Sequence, residues 1–326
     1  MKAGWQTTLR NRAEVSGIGV HSSLPATLTM LPAEADTGIV FVRCGVNGQC
    51  DREVRANVRA VTATEFATVL GTADGPLCAT AEHVLAALSG LGVDNAIIEI
   101  DGPEVPIMDG SAAAYVAAID RAGVVALPAP RRYVQILKPV RVVKDDSYGE
   151  LRPYPKGFRI ELDIEFAHPL IGRQGVALDV DPDSFRRELA PARTFGFMRD
   201  VAKLWSAGFA LGASFENTLV INEHRLLNPE GLRFADEFAR HKALDALGDL
   251  ALAGGPLLGA YRSKRGGHSL NHAVLSALMA DPSAWTLVEG PAIRPETRPE
   301  PRRRAIRGHA DVATGLVAPA YGPDLS

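Results

Sequence analysis

The chain has 326 residues, 46% of them hydrophobic and 22% charged, a globular mixture that excludes collagen-like, disordered and coiled-coil classes. Lys plus Arg total 35 against 38 Asp plus Glu, a net charge of −3, so no global field exists for gripping nucleic acid and none is expected as a partner. The longest apolar stretches, such as 112–119, stop after about eight residues, well short of the roughly 18 to 20 of a membrane span, so no stable membrane insertion is expected. The N-terminal MKAGWQTTLRNRAEV lacks the apolar core of a signal peptide. Cys44, Cys50 and Cys78 have no metal or redox spacing and suggest no disulfide framework. A soluble, cytoplasmic protein with room for two domains is the expectation.

In chain order, Gly17-Ile-Gly-Val-His21 comes first: a G-x-G without a third glycine or a following helix, and so no dinucleotide fingerprint. Thr80 to Leu88 predicts a helix with Thr80 as N-cap and Glu82 and His83 in its first turn. Residues 96–100 and 134–143 predict strands. Between them, Leu127-Pro-Ala-Pro-Arg-Arg132 predicts an exposed linker, because proline fixes φ and disfavours helix in the residue before it. A further strand is predicted from Phe158 to Phe166, where apolar and charged residues alternate. Ala192 to Asp200 places Thr194 among aromatics, and helices are predicted over Asp236–Ala253 and Ala273–Ala280, the latter preceded by a loop carrying His268. From Gly290 a tail with prolines at 291, 295, 299 and 301 and the run Arg302-Arg303-Arg304 cannot bury enough apolar surface to be ordered; its arginines allow weak membrane-surface contact. Strands and helices mingle without strict alternation, which predicts α+β domains over 1–127 and 128–289, followed by the tail 290–326. Leu85, Ala87, Leu88 and Leu91 can also be laid over Leu244, Ala246, Leu247 and Leu250, a faint internal likeness.

The helix over 236–253 is apolar nearly all round from Ala243, yet His241, Asp245 and Asp249 recur at i, i+4 and i+8 on one face. Carboxylates in apolar surroundings are costly unless paired. A metal ion would satisfy the first pair, since His-x-x-x-Asp sets an imidazole and a carboxylate about one turn apart. An exposed face paired with Arg240 and Lys242 is the alternative, and spacing leaves both open. Glu82 beside His83 suits either a helix dipole or a carboxylate that activates a metal-bound water. His268, behind Gly266 and Gly267, is a candidate acid or base. No G-x-S-x-G elbow, P-loop or His-Glu-x-x-His occurs, so serine hydrolases, NTPases and zincins fit poorly.

Six blocks, GIGVHS at 17–22, TAEHVLAALSGLGVDN at 80–95, PEVPIMDGSA at 103–112, ARTFGFMRD at 192–200, GLRFADEFARHKALDALGDL at 231–250 and GGHSLNH at 266–272, run in order along the chain. Together they resemble the UDP-3-O-acyl-N-acetylglucosamine deacetylase family, zinc amidases of lipid A synthesis, from about Thr8 to Glu289. The resemblance implies two similar domains, each a sheet with helices packed at the interdomain interface, and an active site between them. It implies one Zn²⁺ held by His83, His241 and Asp245 with a fourth position for water. It further implies Glu82 as general base, His268 as general acid oriented by Asp249, and Thr194 as oxyanion donor. Lys242, Phe195, Arg265 and Phe215 are implied substrate contacts, the last within an apolar segment from Phe195 to Val220 suited to lining an acyl passage. His21 matches the family without an assigned role. The sequence departs from the family pattern at Ser23 and Ala213, where glycine is common, and in its basic tail. The implied reaction removes the N-acetyl group from UDP-3-O-(3-hydroxyacyl)-N-acetylglucosamine, with a monomer acting on a small-molecule UDP-sugar. A zinc deacylase of another N-acyl sugar, or a non-catalytic protein binding such a ligand, are the rivals.

Overall fold

A computed structural model describes residues 4–45 and 50–290. Among these it is a mixed α+β structure with several sheets and six α-helices: α1 (Glu82–Leu91), α2 (Ala113–Ala122), α3 (Pro182–Ser184), α4 (Val201–Ser206), α5 (Glu237–Leu250) and α6 (His268–Ala280). The first half builds a five-stranded sheet in the spatial order Ala13–Ile18, Pro25–Pro32, Ala96–Ile100, Ile39–Cys44, Cys50–Arg55. Its central strand, Ala96–Ile100, is the one expected from sequence, with Ala96, Ile98 and Ile100 buried and Ile97 and Glu99 half-buried. The second half gathers seven strands around Leu257–Lys264, which runs antiparallel to Ser147–Arg152 and parallel to Arg132–Ile136 and Phe158–Glu165. The alternation expected from Phe158 onward holds, with Ile160, Leu162 and Ile164 all buried. No described helix is long and apolar enough to cross a membrane.

Several expectations are corrected. The strand expected over 134–143 is two strands, Arg132–Ile136 and Val140–Lys144; Pro139 supplies no N–H and restricts Lys138, which breaks the run. The expected linker is not irregular chain. Leu127 to Pro130 closes the strand Val124–Pro130, which pairs antiparallel with Trp5–Leu9, and Arg132 opens the next strand. Prolines are tolerated there because the pair is a two-stranded ribbon whose outer N–H groups need no partner in a sheet. Thr80 is not a helix cap either. It takes φ +56° and turns its hydroxyl to Glu104 at 2.8 Å, while α1 starts at Glu82. His268 lies not in a loop but at the first position of α6. Cys44 is disulfide-bonded, a pairing its spacing did not suggest, and Cys78 is free and buried. The tail after Gly290 lies outside the described residues.

What positions the site is the packing of α1 against α5. The faint likeness between them falls on buried residues: Leu85, Ala87, Leu88 and Leu91 on one, Leu244, Ala246, Leu247 and Leu250 on the other. Small side chains between the leucines let the axes come close. The approach is closest at Gly248, where an added Cβ would lie 2.0 Å from the Glu82 carbonyl oxygen. Because that neighbour is main chain, no side-chain rotation relieves the clash. Gly248→Ala is therefore expected to destabilise the protein by about 1–3 kcal/mol or more, read as a lowered urea midpoint; an unchanged midpoint would show that the helices part freely.

Candidate active site

Burying α1 almost completely takes Glu82 and His83 into the interior, where an uncompensated charge is costly. Their partners come from α5. His83 Nε2 lies 3.5 Å and His241 Nε2 3.3 Å from the same atom, Asp245 Oδ1. One ligand atom from each of the three residues lies within 4.8 Å of the others, and all three residues are buried. The alternative of an exposed helix face is thereby overturned: His241, Asp245 and Asp249 are 1%, 3% and 2% exposed.

The donor set fits a divalent cation. Asp245 Oδ1 is buried and accepts no hydrogen bond among the described residues, whereas its Oδ2 accepts one from Lys242 Nζ at 2.8 Å. His241 Nδ1 lies 3.1 Å from the Ala192 carbonyl, which can only accept, so Nδ1 carries the proton and Nε2 turns its lone pair toward His83 and Asp245. Burial drives the His241 pKa down to about 3, keeping the ring neutral as a ligand must be. Burial works the other way on Asp245, but its neighbours, the Lys242 ammonium among them, outweigh it and hold the carboxyl well below the usual range. Two imidazole nitrogens and one carboxylate oxygen, aimed at one point, are a zinc-type set that leaves coordination open.

A second group flanks the first. His268 Nδ1 is 2.9 Å from Asp249 Oδ2, and its Nε2 is 3.9 Å from Asp245 Oδ2. Burial alone would lower the His268 pKa, but the carboxylates of Asp249 and Glu82 lift it to about 9. Asp249 also accepts from Asn271 Nδ2 at 2.8 Å, and Asn271 in turn accepts from the Tyr261 hydroxyl at 2.6 Å. Burial raises the Glu82 pKa, which suits a group that must take a proton near neutrality. Thr68 ties this group together and was missed in the sequence. Its N–H donates to Glu82 at 2.9 Å and its hydroxyl to Asp249 at 2.5 Å. Ala-Thr-Val beside a strand carries no signal of such a role, which arises from the fold.

The remaining candidates lie around this core. Thr194 is half-buried; its N–H donates to the Gly110 carbonyl and its own carbonyl accepts from Leu219. It stands two residues past Ala192, the partner of His241, and one before Phe195, whose ring is 6.4 Å from the His241 ring. Lys242 Nζ sits 5.8 Å over the Phe195 ring. Arg265 and Lys242 border a cleft of about 310 Å³ with Asp145, Asp146 and Phe166. Phe215 is 49% exposed, and no hydrogen bond or ring contact joins it to the cluster among the described residues. Its neighbours Trp205 and Leu211 are likewise exposed, so this segment presents apolar surface rather than ordinary core.

A model of the UDP-3-O-acyl N-acetylglycosamine deacetylase family matches residues 6–280. The chain is also 50% identical, over 286 residues, to proteins described as UDP-3-O-acyl-N-acetylglucosamine deacetylase from Brucella ovis, Brucella canis and Brucella abortus. Each alignment covers 87% of this chain and 99% of the relative.

The His268–Asp249 pair makes a pH prediction. The folded pKa of about 9 lies above the ordinary 6.5, so its contribution to stability is fully present below about 6.5 and lost as pH rises through about 9. In metal-free protein the His268 ring should stay protonated at pH 7 by NMR titration, and Asp249→Asn should bring its midpoint down. A midpoint that ignored Asp249→Asn would contradict the pairing.

Proposed function

The chain belongs to the UDP-3-O-acyl N-acetylglycosamine deacetylase family, and from that premise we propose how its buried cluster carries out the reaction. The protein is a deacetylase of lipid A biosynthesis that acts on UDP-3-O-acyl-N-acetylglucosamine, releasing acetate and a free amine. His83, His241 and Asp245 would hold one Zn²⁺. The observation that carries this assignment is Asp245 Oδ1, a buried carboxylate oxygen without a hydrogen bond, faced by two imidazole Nε2 atoms. When bound, zinc polarises the amide carbonyl and brings the pKa of a water to about 7.

The chain's own groups do the rest. Glu82, one residue from a ligand and raised in pKa by burial, takes a proton from the attacking water. Thr68 N–H holds the carboxylate in place for that transfer. The Thr194 hydroxyl donates to the oxyanion of the tetrahedral intermediate. His268, kept charged by Asp249, protonates the departing amine, a leaving group too basic to depart as an anion. Asn271 and Thr68 fix Asp249 so that the imidazolium keeps its orientation.

Substrate binding follows from the surroundings. Lys242, anchored by Asp245, and Arg265 present cations to the phosphate and sugar oxygens, and Phe195 packs against the sugar end. The apolar segment running from Phe195 to Val220, with Phe215 on it, takes the 3-hydroxyacyl chain. The two halves, 1–127 and 128–289, are related domains that meet along α1 and α5, with the active site between them. The enzyme works as a cytoplasmic monomer on a small-molecule substrate.

Glu82→Ala and His268→Ala should each lower turnover by about two to four orders of magnitude with zinc still bound; near-normal turnover in either would refute its role. Asp245→Ala should instead emerge depleted of zinc by elemental analysis, and full metal loading would contradict its place as a ligand. Acetate release should fall when either the UDP or the 3-O-acyl group is absent from the substrate.

A further inference from the structure

The proposed mechanism leaves unused the Gly-Ile-Gly-Val-His segment and a buried carboxylate, Glu104, which is 2% exposed. Instead of pairing with a cation, Glu104 accepts from main-chain donors. The N–H of His21 lies 2.9 and 3.2 Å from its two oxygens, the N–H of Ser22 donates at 2.7 Å, and the Thr80 hydroxyl at 2.8 Å. Successive N–H groups wrapped on one anion form a nest. The loop bends to make it. Gly19 N–H bonds to the Leu24 carbonyl, Ser23 N–H bonds back to Gly19, and Ser23 takes φ +58°, the left-handed region that favours glycine. At Gly19 an added Cβ would lie 2.2 Å from the Glu104 carboxylate, so a larger residue there would displace the carboxylate from its donors.

This loop carries His21 to the rim of the site. His21 Nδ1 accepts from the Ala210 N–H at 3.2 Å, and the His21 carbonyl accepts from Leu211 at 3.1 Å. Its ring stands edge-on to Phe209 at 5.4 Å and 6.5 Å from Phe66, and those two rings are 4.8 Å apart. Phe66 is 50% exposed and holds φ +62°, an unfavourable conformation for an aromatic residue that something must fix. Burial lowers the His21 pKa, so the ring is neutral and its Nδ1 is free to accept.

We propose that Glu104 is a positioning residue for substrate selection: it clamps the 19–24 loop so that His21 braces Phe66 and Phe209 as one wall of the acyl passage. The chain of contacts runs from the carboxylate to the loop backbone, from the loop to the imidazole, and from the imidazole to both rings and the Ala210 backbone. It makes its hydrogen bonds and ring contacts with the acyl-binding wall and none with Glu82, His268 or Asp249, reaching His268 only through its charge, so its loss weakens binding of the chain far more than it slows the chemical step. The inference rests on the reading of Phe195–Val220 as an acyl passage.

The test compares kcat and KM of the zinc-loaded enzyme for the acylated substrate and for an analogue whose 3-O-acyl chain is cut to acetyl. Glu104→Gln sets an amide N–H₂ against backbone donors and opens the nest; His21→Ala removes the brace without disturbing the buried carboxylate and serves if Glu104→Gln does not fold. Each should raise KM for the long-chain substrate about tenfold with kcat within about twofold, and leave the short analogue unaffected. The double variant should be no worse than the weaker single, because both act through one brace. Equal losses on both substrates, a loss confined to kcat, or additive effects would overturn the proposal. If the unaltered protein did not distinguish the two chain lengths, the acyl-passage reading itself would fall, which is a separate outcome.

Discussion

The close contact of α1 with α5 is the constraint from which the rest of the site follows. Gly248 lets the backbone of α5 lie directly on the carbonyl of Glu82, and this contact sets the separation of every group that α1 and α5 contribute. His83 can reach the oxygen it shares with His241 only because the axes are this near. The same proximity drives Glu82 into apolar surroundings, where its proton affinity rises, and brings Asp249 within reach of the Thr68 hydroxyl. Packing and electrostatics are thus one design here: the tighter the helices sit, the less solvent remains to screen the carboxylates, and the more strongly they act on His268.

Charge within this interior is managed by division of labour between oxygens. Asp245 gives Oδ2 to Lys242 and leaves Oδ1 to the two imidazoles. Asp249 spreads itself over His268, Asn271 and Thr68. Among the described residues, Asp249 is thus partnered on both oxygens, while Asp245 keeps one oxygen, Oδ1, without a hydrogen bond. A buried carboxylate oxygen without a hydrogen bond is costly, and at the meeting point of two imidazoles it makes a candidate ligand position.

Much of this was legible in the chain. The i, i+4 spacing put His241 and Asp245 on one helix face, and the alternation after Phe158 gave a strand that the fold retains. Spacing could not decide whether that face was buried, because burial depends on α1, about 150 residues earlier, and it was the family resemblance that joined His83 to the pair. Thr68 was invisible, since these hydrogen bonds exist only once the segment before the strand Val69–Thr72 passes the helix pair. Local rules also misled where tertiary demands override them. Thr80 has the composition of a cap but spends its hydroxyl on Glu104, and the Leu127–Arg132 prolines mimic a linker while lying on a two-stranded ribbon.

The hydrogen bond from His241 to Ala192 has a consequence for how this centre tolerates genetic drift. In many metal sites the imidazole is steered by a carboxylate side chain, and a single codon change there retunes or destroys the ligand. Here the acceptor is a peptide oxygen, which every amino acid supplies in the same place. Replacing residue 192 alters packing but cannot delete the acceptor, so the tautomer of His241 is written into the course of the main chain and is insulated from substitution at the position that sets it.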